Sequence, residues 1–297
     1  MATMKTLNGY GFNATELNGK TSDSYLLKTD TAANSTNSQK LGGKVPEYYL
    51  QPRNLLDNSD FLHPVNQRGV TSKTNNGYFI DRWVIYSADE AKRVTSIDSN
   101  GLTTAGGSAV RQVVSKEVTP KDAGEYTFAI CKSDGIIDFP DIWKDSNGNL
   151  VCPLGSAGTY IWAALYEGNY TADTLPPYVP KGYPAELTEC QRYFYKMKSY
   201  WKWVSAGICE TSTKAFIPIV LPREMRIVPT VSITNPSLIK VKCGSIGPQI
   251  PSDIKWAYGI LDARIMQMQA TVTGATGGNV AFLYFDDGGE ITFSADL

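Results

Sequence analysis

Histidine is almost missing from this chain: among 297 residues there is one, His63, followed by Pro64. A His-rich zinc site needs several, and a histidine-dependent hydrolytic triad would have to run through this one. No G-x-S-x-G occurs, since "LGSAG" and "CGSIG" have the wrong spacing. His63 is therefore expected to be a loop or packing residue. Charge is scarce as well. Charged residues make up 19% of the chain, the net charge is -1, and no long run of one sign occurs. Nucleic acid is not an expected partner, because binding it needs clustered Lys and Arg to replace phosphate counterions. Cys131, Cys152, Cys190, Cys209 and Cys243 are far apart, odd in number and form no C-x-x-C. Buried, reduced thiols are the expectation. No run of about 18 apolar residues exists, so no membrane insertion is expected. The opening "MATMKTLNGY" has no apolar core, so no secretory signal is expected either. No metal or cofactor is expected.

What is present begins with a repeat. "LNGKTSDSYL" (17–26) and "LGGKVPEYYL" (41–50) share Leu, Gly, Lys, Tyr and Leu at an offset of 24, from Leu17 to Leu41. Each unit offers few apolar anchors: Leu17, Tyr25 and Leu26 in the first, Leu41, Tyr49 and Leu50 in the second. That is too little to bury a core, so these residues are expected to dock on copies of the chain or on a neighbouring protein. A Gly turn followed by a short helix is expected in each unit. Gly19, Lys20 and Thr21 resemble the end of a nucleotide-binding P-loop. The pattern fails, because Ala14 stands where its first glycine should be and Val45 replaces Thr21 in the second copy.

From Asn54 onward, strand-like runs alternate with Gly, Asn and Pro turns. "GEYTFAICKS" puts Tyr126, Phe128 and Ile130 on one face, and "GTYIWAALYEG" reads as a strand buried between layers. The fold expected is mainly β: an antiparallel β-sandwich of jelly-roll type, then a second, smaller β domain, with an extended repeat segment in front. The boundaries are 1–53 for the repeat segment, 54–184 for the sandwich and 185–297 for the C-terminal domain. A short helix or a corner is expected at 185–194, after the Pro-rich "LPPYVPKGYP". At 265–272, Met266, Met268, Ala270 and Val272 alternate with Ile265, Gln267, Gln269 and Thr271, which predicts a strand.

The strongest binding-type feature is "RYFYKMKSYWKW", 192–203. Its aromatic rings sit among Arg and Lys, a composition suited to stacking on sugar rings. Tyr195, Tyr200, Trp201 and Trp203 are the candidate carbohydrate-binding residues. A β-hairpin with one face in the core is the structural alternative for most of the rings. "FDDGGE" supplies Asp286, Asp287 and Glu290. Asp-Gly after an apolar strand signals a hairpin turn first, and catalytic or calcium-binding carboxylates second. Asp57, Asp60 and Asp81 are a further acidic set that only the fold can bring together.

Three segments together resemble a family of phage and prophage tail-fibre and receptor-binding proteins. They are the "LNGK…YL" and "LGGK…YYL" repeat, "NLLDNSDFLHPVNQRG" with "GYFIDRW" (54–83), and "GYPAELTECQRYFYK" with "IPIVLPREMRIVPTVSI". The resemblance implies a virion component of fibre or baseplate, made in the host cytoplasm. It implies a homotrimer that meets other tail proteins through its N-terminal segment and binds a bacterial surface glycan. It implies no catalytic residues. Within the resemblance, Arg82 and Trp83 are expected to pin a strand start to the core, and Arg68 with Gly69 to sit in a turn. A tail depolymerase and a purely structural adaptor remain the alternatives.

Overall fold

The computed structural model describes residues 16–17, 20–21, 52–86, 93–106, 109–198, 202–258 and 264–297. The chain divides into two compact units, Met1–Pro52 and Arg53–Leu297. In the first, β1 (Glu16–Leu17) pairs antiparallel with β2 (Lys20–Thr21), with Leu17 opposite Lys20. The sequence between them is Asn18-Gly19, a dipeptide that favours tight hairpins. The Gly-Lys-Thr therefore runs into a strand rather than into a helix N-terminus. The anchors Tyr25, Leu26, Leu41, Tyr49 and Leu50, and the short helices expected beside them, lie outside the described residues.

The second unit is antiparallel β throughout its described strands and carries two cores. Its first part holds β3 (Gly77–Ile80), β4 (Trp83–Ile85), β5 (Val94–Asp98), β6 (Gly101–Thr104) and β7 (Val110–Val114). It continues with β8 (Tyr126–Lys132), β9 (Ile137–Asp138), β10 (Trp143–Lys144), β11 (Leu150–Pro153) and β12 (Gly158–Glu167). Two five-stranded sheets result, ordered β10-β11-β7-β4-β3 and β5-β6-β12-β8-β9. Both feed one core around Trp83, against which Phe61 packs edge-on at 5.0 Å. Tyr126, Phe128 and Ile130 are buried in it, as their alternation predicts. Gly101 cannot be replaced without strain: its φ is +117°, and an added Cβ would stand 2.2 Å from the Tyr160 carbonyl oxygen.

The helix α1 (Tyr183–Cys190) follows, with Pro184 in its first turn, where a missing N–H is tolerated. The second part then contains β13 (Phe194–Lys198), β14 (Lys202–Cys209), β15 (Lys214–Val220), β16 (Thr230–Ile233) and β17 (Ile239–Cys243). It ends with β18 (Asp253–Tyr258), β19 (Ile265–Thr271), β20 (Val280–Phe285) and β21 (Glu290–Ser294). A three-stranded sheet, β13-β21-β16, and a six-stranded sheet, β17-β20-β14-β15-β19-β18, share the second core. Met266, Met268 and Ala270 point into it, as the period of two predicts.

Two local readings need correction. "RYFYKMKSYWKW" is not a hairpin: β13 pairs with β21, while β14 pairs with β20 in the other sheet. "FDDGGE" likewise joins β20 to β21 across sheets. Both connections pass from one sheet to the other, so each sheet keeps the same two segments as neighbours. Short-range turn signals give the change of direction but not the sheet that receives the strand.

Two of the segments that carried the family resemblance, 54–83 and "GYPAELTECQRYFYK", meet in a buried polar joint between the two parts of the second unit. Asn58, at φ 54° and fully inside, donates from Nδ2 to the carbonyls of Val65 and Asp81 and accepts from Val65 N–H. Its own carbonyl accepts from Trp83 Nε1 at 2.8 Å. Gln67 Nε2 donates to Asp81 Oδ2 and to the Phe194 carbonyl, each at 2.9 Å. Arg68, in the turn closed by Gly69 (φ 72°), pairs with Asp296 at 2.6 Å and lies 3.8 Å from the Phe194 ring centroid. Glu186 of α1 accepts the Asn58 N–H at 2.6 Å. Arg82 and Trp83 are both inaccessible, as expected of residues that pin a strand start.

Candidate functional site

In the six-stranded sheet, alternate residues face the core and the rest form an outer face. On β20, Ala281, Leu283 and Phe285 are buried, which leaves Val280, Phe282 and Tyr284 outside. On β17, Ile239, Val241 and Cys243 point in, which leaves Lys240 and Lys242 out. The neighbouring β14 brings Trp203 opposite Tyr284, and Ile208 opposite Val280. A bulge between Trp203 and Ser205 re-aims the strand at the aromatic end. Gly207 lets β14 approach β15, because a Cβ there would lie 1.9 Å from the Phe216 carbonyl oxygen. Ser205 Oγ donates to the Pro218 carbonyl across the same gap.

The result is an aromatic cluster on an open sheet. Trp203 is 52% exposed. Its ring centroid lies 5.0 Å from that of Tyr284 and 5.3 Å from that of Phe282, with tilts of 59° and 60°. Lys242 Nζ lies 5.5 Å from the Trp203 centroid, within cation–π range. Lys240 is paired with Asp286 at 2.5 Å. Chemically, the cluster offers a tilted indole face, two supporting rings and a cation. At the other end Ile208 and Val280, 51% and 49% exposed, are adjacent and aliphatic.

Of the four residues singled out from the sequence, Trp203 stands on this face. Tyr195 belongs to the other sheet, where it stacks on Phe293 at 6.0 Å and packs against the core. Burial raises its phenol pKa. Tyr200 and Trp201 lie outside the described residues. Phe282, Tyr284 and Lys242 were missed. The alternation in "VAFLYF" and "IKVKC" marks them as the non-core half of their strands, but only the strand order sets them beside Trp203.

Except for the exposed Asp287, the acidic candidates meet basic side chains. Asp57 meets Arg82 at 3.2 Å and Lys181 at 3.3 Å, and Glu290 meets Lys196 at 3.5 Å. Asp60 contacts the exposed His63 at 3.1 Å. Among the described residues, no group of three or more His, Cys, Asp or Glu side chains is placed to hold a metal ion. No helix among them is long and apolar enough to cross a membrane. No protein-family model, curated protein or solved structure matches the chain.

Proposed function

We propose that this chain is a non-enzymatic attachment protein of the tail-fibre kind, which binds a bacterial surface glycan on the outer face of its six-stranded sheet. The observation that carries this reading is the exposed Trp203 ring, backed by Phe282 and Tyr284 and flanked by Lys242. An indole with an open face stacks on the C–H face of a pyranose, and a nearby ammonium bonds its hydroxyls. The jelly-roll connectivity, the homotrimer and the placement in a virion or tail-like particle are supported by the resemblance of the sequence segments. The repeat anchors supply the segment that docks on other tail proteins.

Binding to an array of bacterial surface polysaccharides tests the platform. Trp203→Ala should weaken the best ligand by roughly tenfold, the equivalent of about 1.4 kcal/mol, with the melting temperature little changed. Undiminished binding would remove Trp203 from the site. A solution mass equal to one chain would remove the trimer.

A second reading has its own observation. Ile208 and Val280 form an aliphatic pair, and aliphatic surface favours protein packing over sugar stacking. That end of the face suits a contact between copies of the chain. Ile208→Glu should then lower the solution mass without altering glycan affinity at Trp203.

A further inference from the structure

Five of the chain's nine arginines line one cleft of about 670 Å³ in the second unit. Arg53 opens that unit, Arg192 follows α1, Arg223 and Arg226 lie between β15 and β16, and Arg264 precedes β19. Among the described residues, no lysine lines the cleft, and apart from Pro222 and Met225 every lining residue is charged. The carboxylates among the described lining residues are Glu189 and Glu224, so there five cations against two anions leave a formal excess of three. This concentration occurs in a chain whose net charge is -1.

Four of the five arginines make no ion pair with the two glutamates of the cleft. Among the described residues, neither glutamate lies within 4.0 Å of the guanidinium of Arg53, Arg192, Arg223 or Arg226 in any ion pair. Backbone contacts hold the arginine-bearing segments in place instead. Arg226 N–H donates to the Arg192 carbonyl at 2.8 Å, and Arg226 Nε donates to the Ala295 carbonyl at 3.3 Å. Like charges held together in this way raise the local potential, and a bound anion relieves it.

We infer that this cleft is the subsite for the phosphate or carboxylate groups of an acidic glycan. The anion is dictated by the cleft; the glycan as its carrier rests on the function proposed above. Guanidinium groups match both anions with a planar, two-pronged fork, which the ammonium of lysine lacks. The volume falls within the range of small-molecule sites, about 300–1,000 Å³. Among the described residues no aromatic ring lines the cleft, which disfavours single-stranded nucleic acid, whose bases need stacking partners.

Titration calorimetry of the full chain at low salt tests the assignment, with glucose 6-phosphate and tri-galacturonate as probes and maltotriose as the neutral control. Arg192 and Arg223 are exposed, so R192Q/R223Q should fold normally, which a melting curve checks. At least one acidic probe should bind the wild type, weaken at least tenfold in R192Q/R223Q, and weaken with added salt. Which probe binds tells phosphate from carboxylate. Binding to W203A should persist, so failure of the Trp203 platform and failure of the cleft are read separately. Equal binding to R192Q/R223Q, no binding of either acidic probe, or equal binding of maltotriose would overturn the assignment. So would tighter binding of a single-stranded oligothymidylate than of both acidic sugars.

Discussion

The guanidinium of Arg82 lies 3.4 Å from the ring centroid of Tyr193. This contact joins the start of β4 to the segment after α1, with both residues buried. Arg82 also donates from Nε to Asp57 at 3.2 Å and from Nη2 to the Val113 carbonyl at 2.9 Å. It does so from a left-handed backbone conformation, φ 73°, which a side-chain-bearing residue adopts only under constraint. Arg82→Ala should therefore destabilise the second unit by about 3–5 kcal/mol, the usual consequence of breaking a buried pair. Urea unfolding measures this. Arg82→Lys should recover little, since lysine lacks the planar face that lies over Tyr193. A loss under about 1 kcal/mol would mean that the joint does not depend on Arg82.

Asn58 offers a second test. Its side chain satisfies Val65 N–H and two carbonyls inside the protein, and its backbone is left-handed at φ 54°. Asn58→Ala leaves the Val65 N–H and the Asp81 carbonyl without these partners, leaves the Val65 carbonyl with only the Asp81 N–H, and adds backbone strain, for a loss of about 3 kcal/mol or more. Asn58→Gly restores the backbone freedom but not the bonds. Its stability should fall between those of the wild type and Asn58→Ala. Gly as unstable as Ala would assign the whole effect to the side-chain bonds.

The joint also makes stability depend on pH. Burial pushes the Asp81 carboxyl up to about 6, against the opposing hydrogen bonds of Gln67 and the charge of Arg68. Unfolded, the group titrates near 3.8. Between those values the folded state holds the proton more tightly. Its contribution to stability is thus fully present below the unfolded pKa and is lost as pH rises through about 6. That difference corresponds to about 3 kcal/mol. Glu186, also raised by burial, acts with the same sign. Asp81→Asn should flatten the fall in melting temperature between pH 4 and about 6. An unchanged pH profile in that variant would assign the dependence elsewhere.

All five cysteines are free and buried. In Ellman titration the native protein should show no fast-reacting thiol, and five should appear in guanidinium chloride. Rapid native reaction at any thiol would place that cysteine at a local opening.

The sequence spoke clearly where one strand carries its own signal. Met266, Met268 and Ala270 alternate with glutamines, and both the strand and its buried face follow. Of the helix or corner expected at 185–194, a helix forms, at Tyr183–Cys190, shifted toward Pro184, which favours a first turn. Sheet membership is a different kind of information. Tyr195 and Trp203 sit eight positions apart, yet one packs on a core and the other faces outward in a different sheet. Nothing local encodes which sheet receives each strand. The arginine cleft was equally hidden. Its residues are scattered from 53 to 264, so a search for runs of like charge passes over them. Even Arg192 and Arg226, whose segments were recognised as motifs, become neighbours only through a backbone hydrogen bond across 34 positions of sequence.

The bond from Arg68 to Asp296 has a consequence in time. Its two ends are 228 residues apart. During synthesis the strands of the first core are all made long before Asp296, so Arg68 waits for that partner while Asp81 and Gln67 beside it are already present. Closing so long a loop comes late, because its entropy is lost before the contact forms. The nascent first half therefore holds Arg68 without its Asp296 partner until the last strand, β21, has been added.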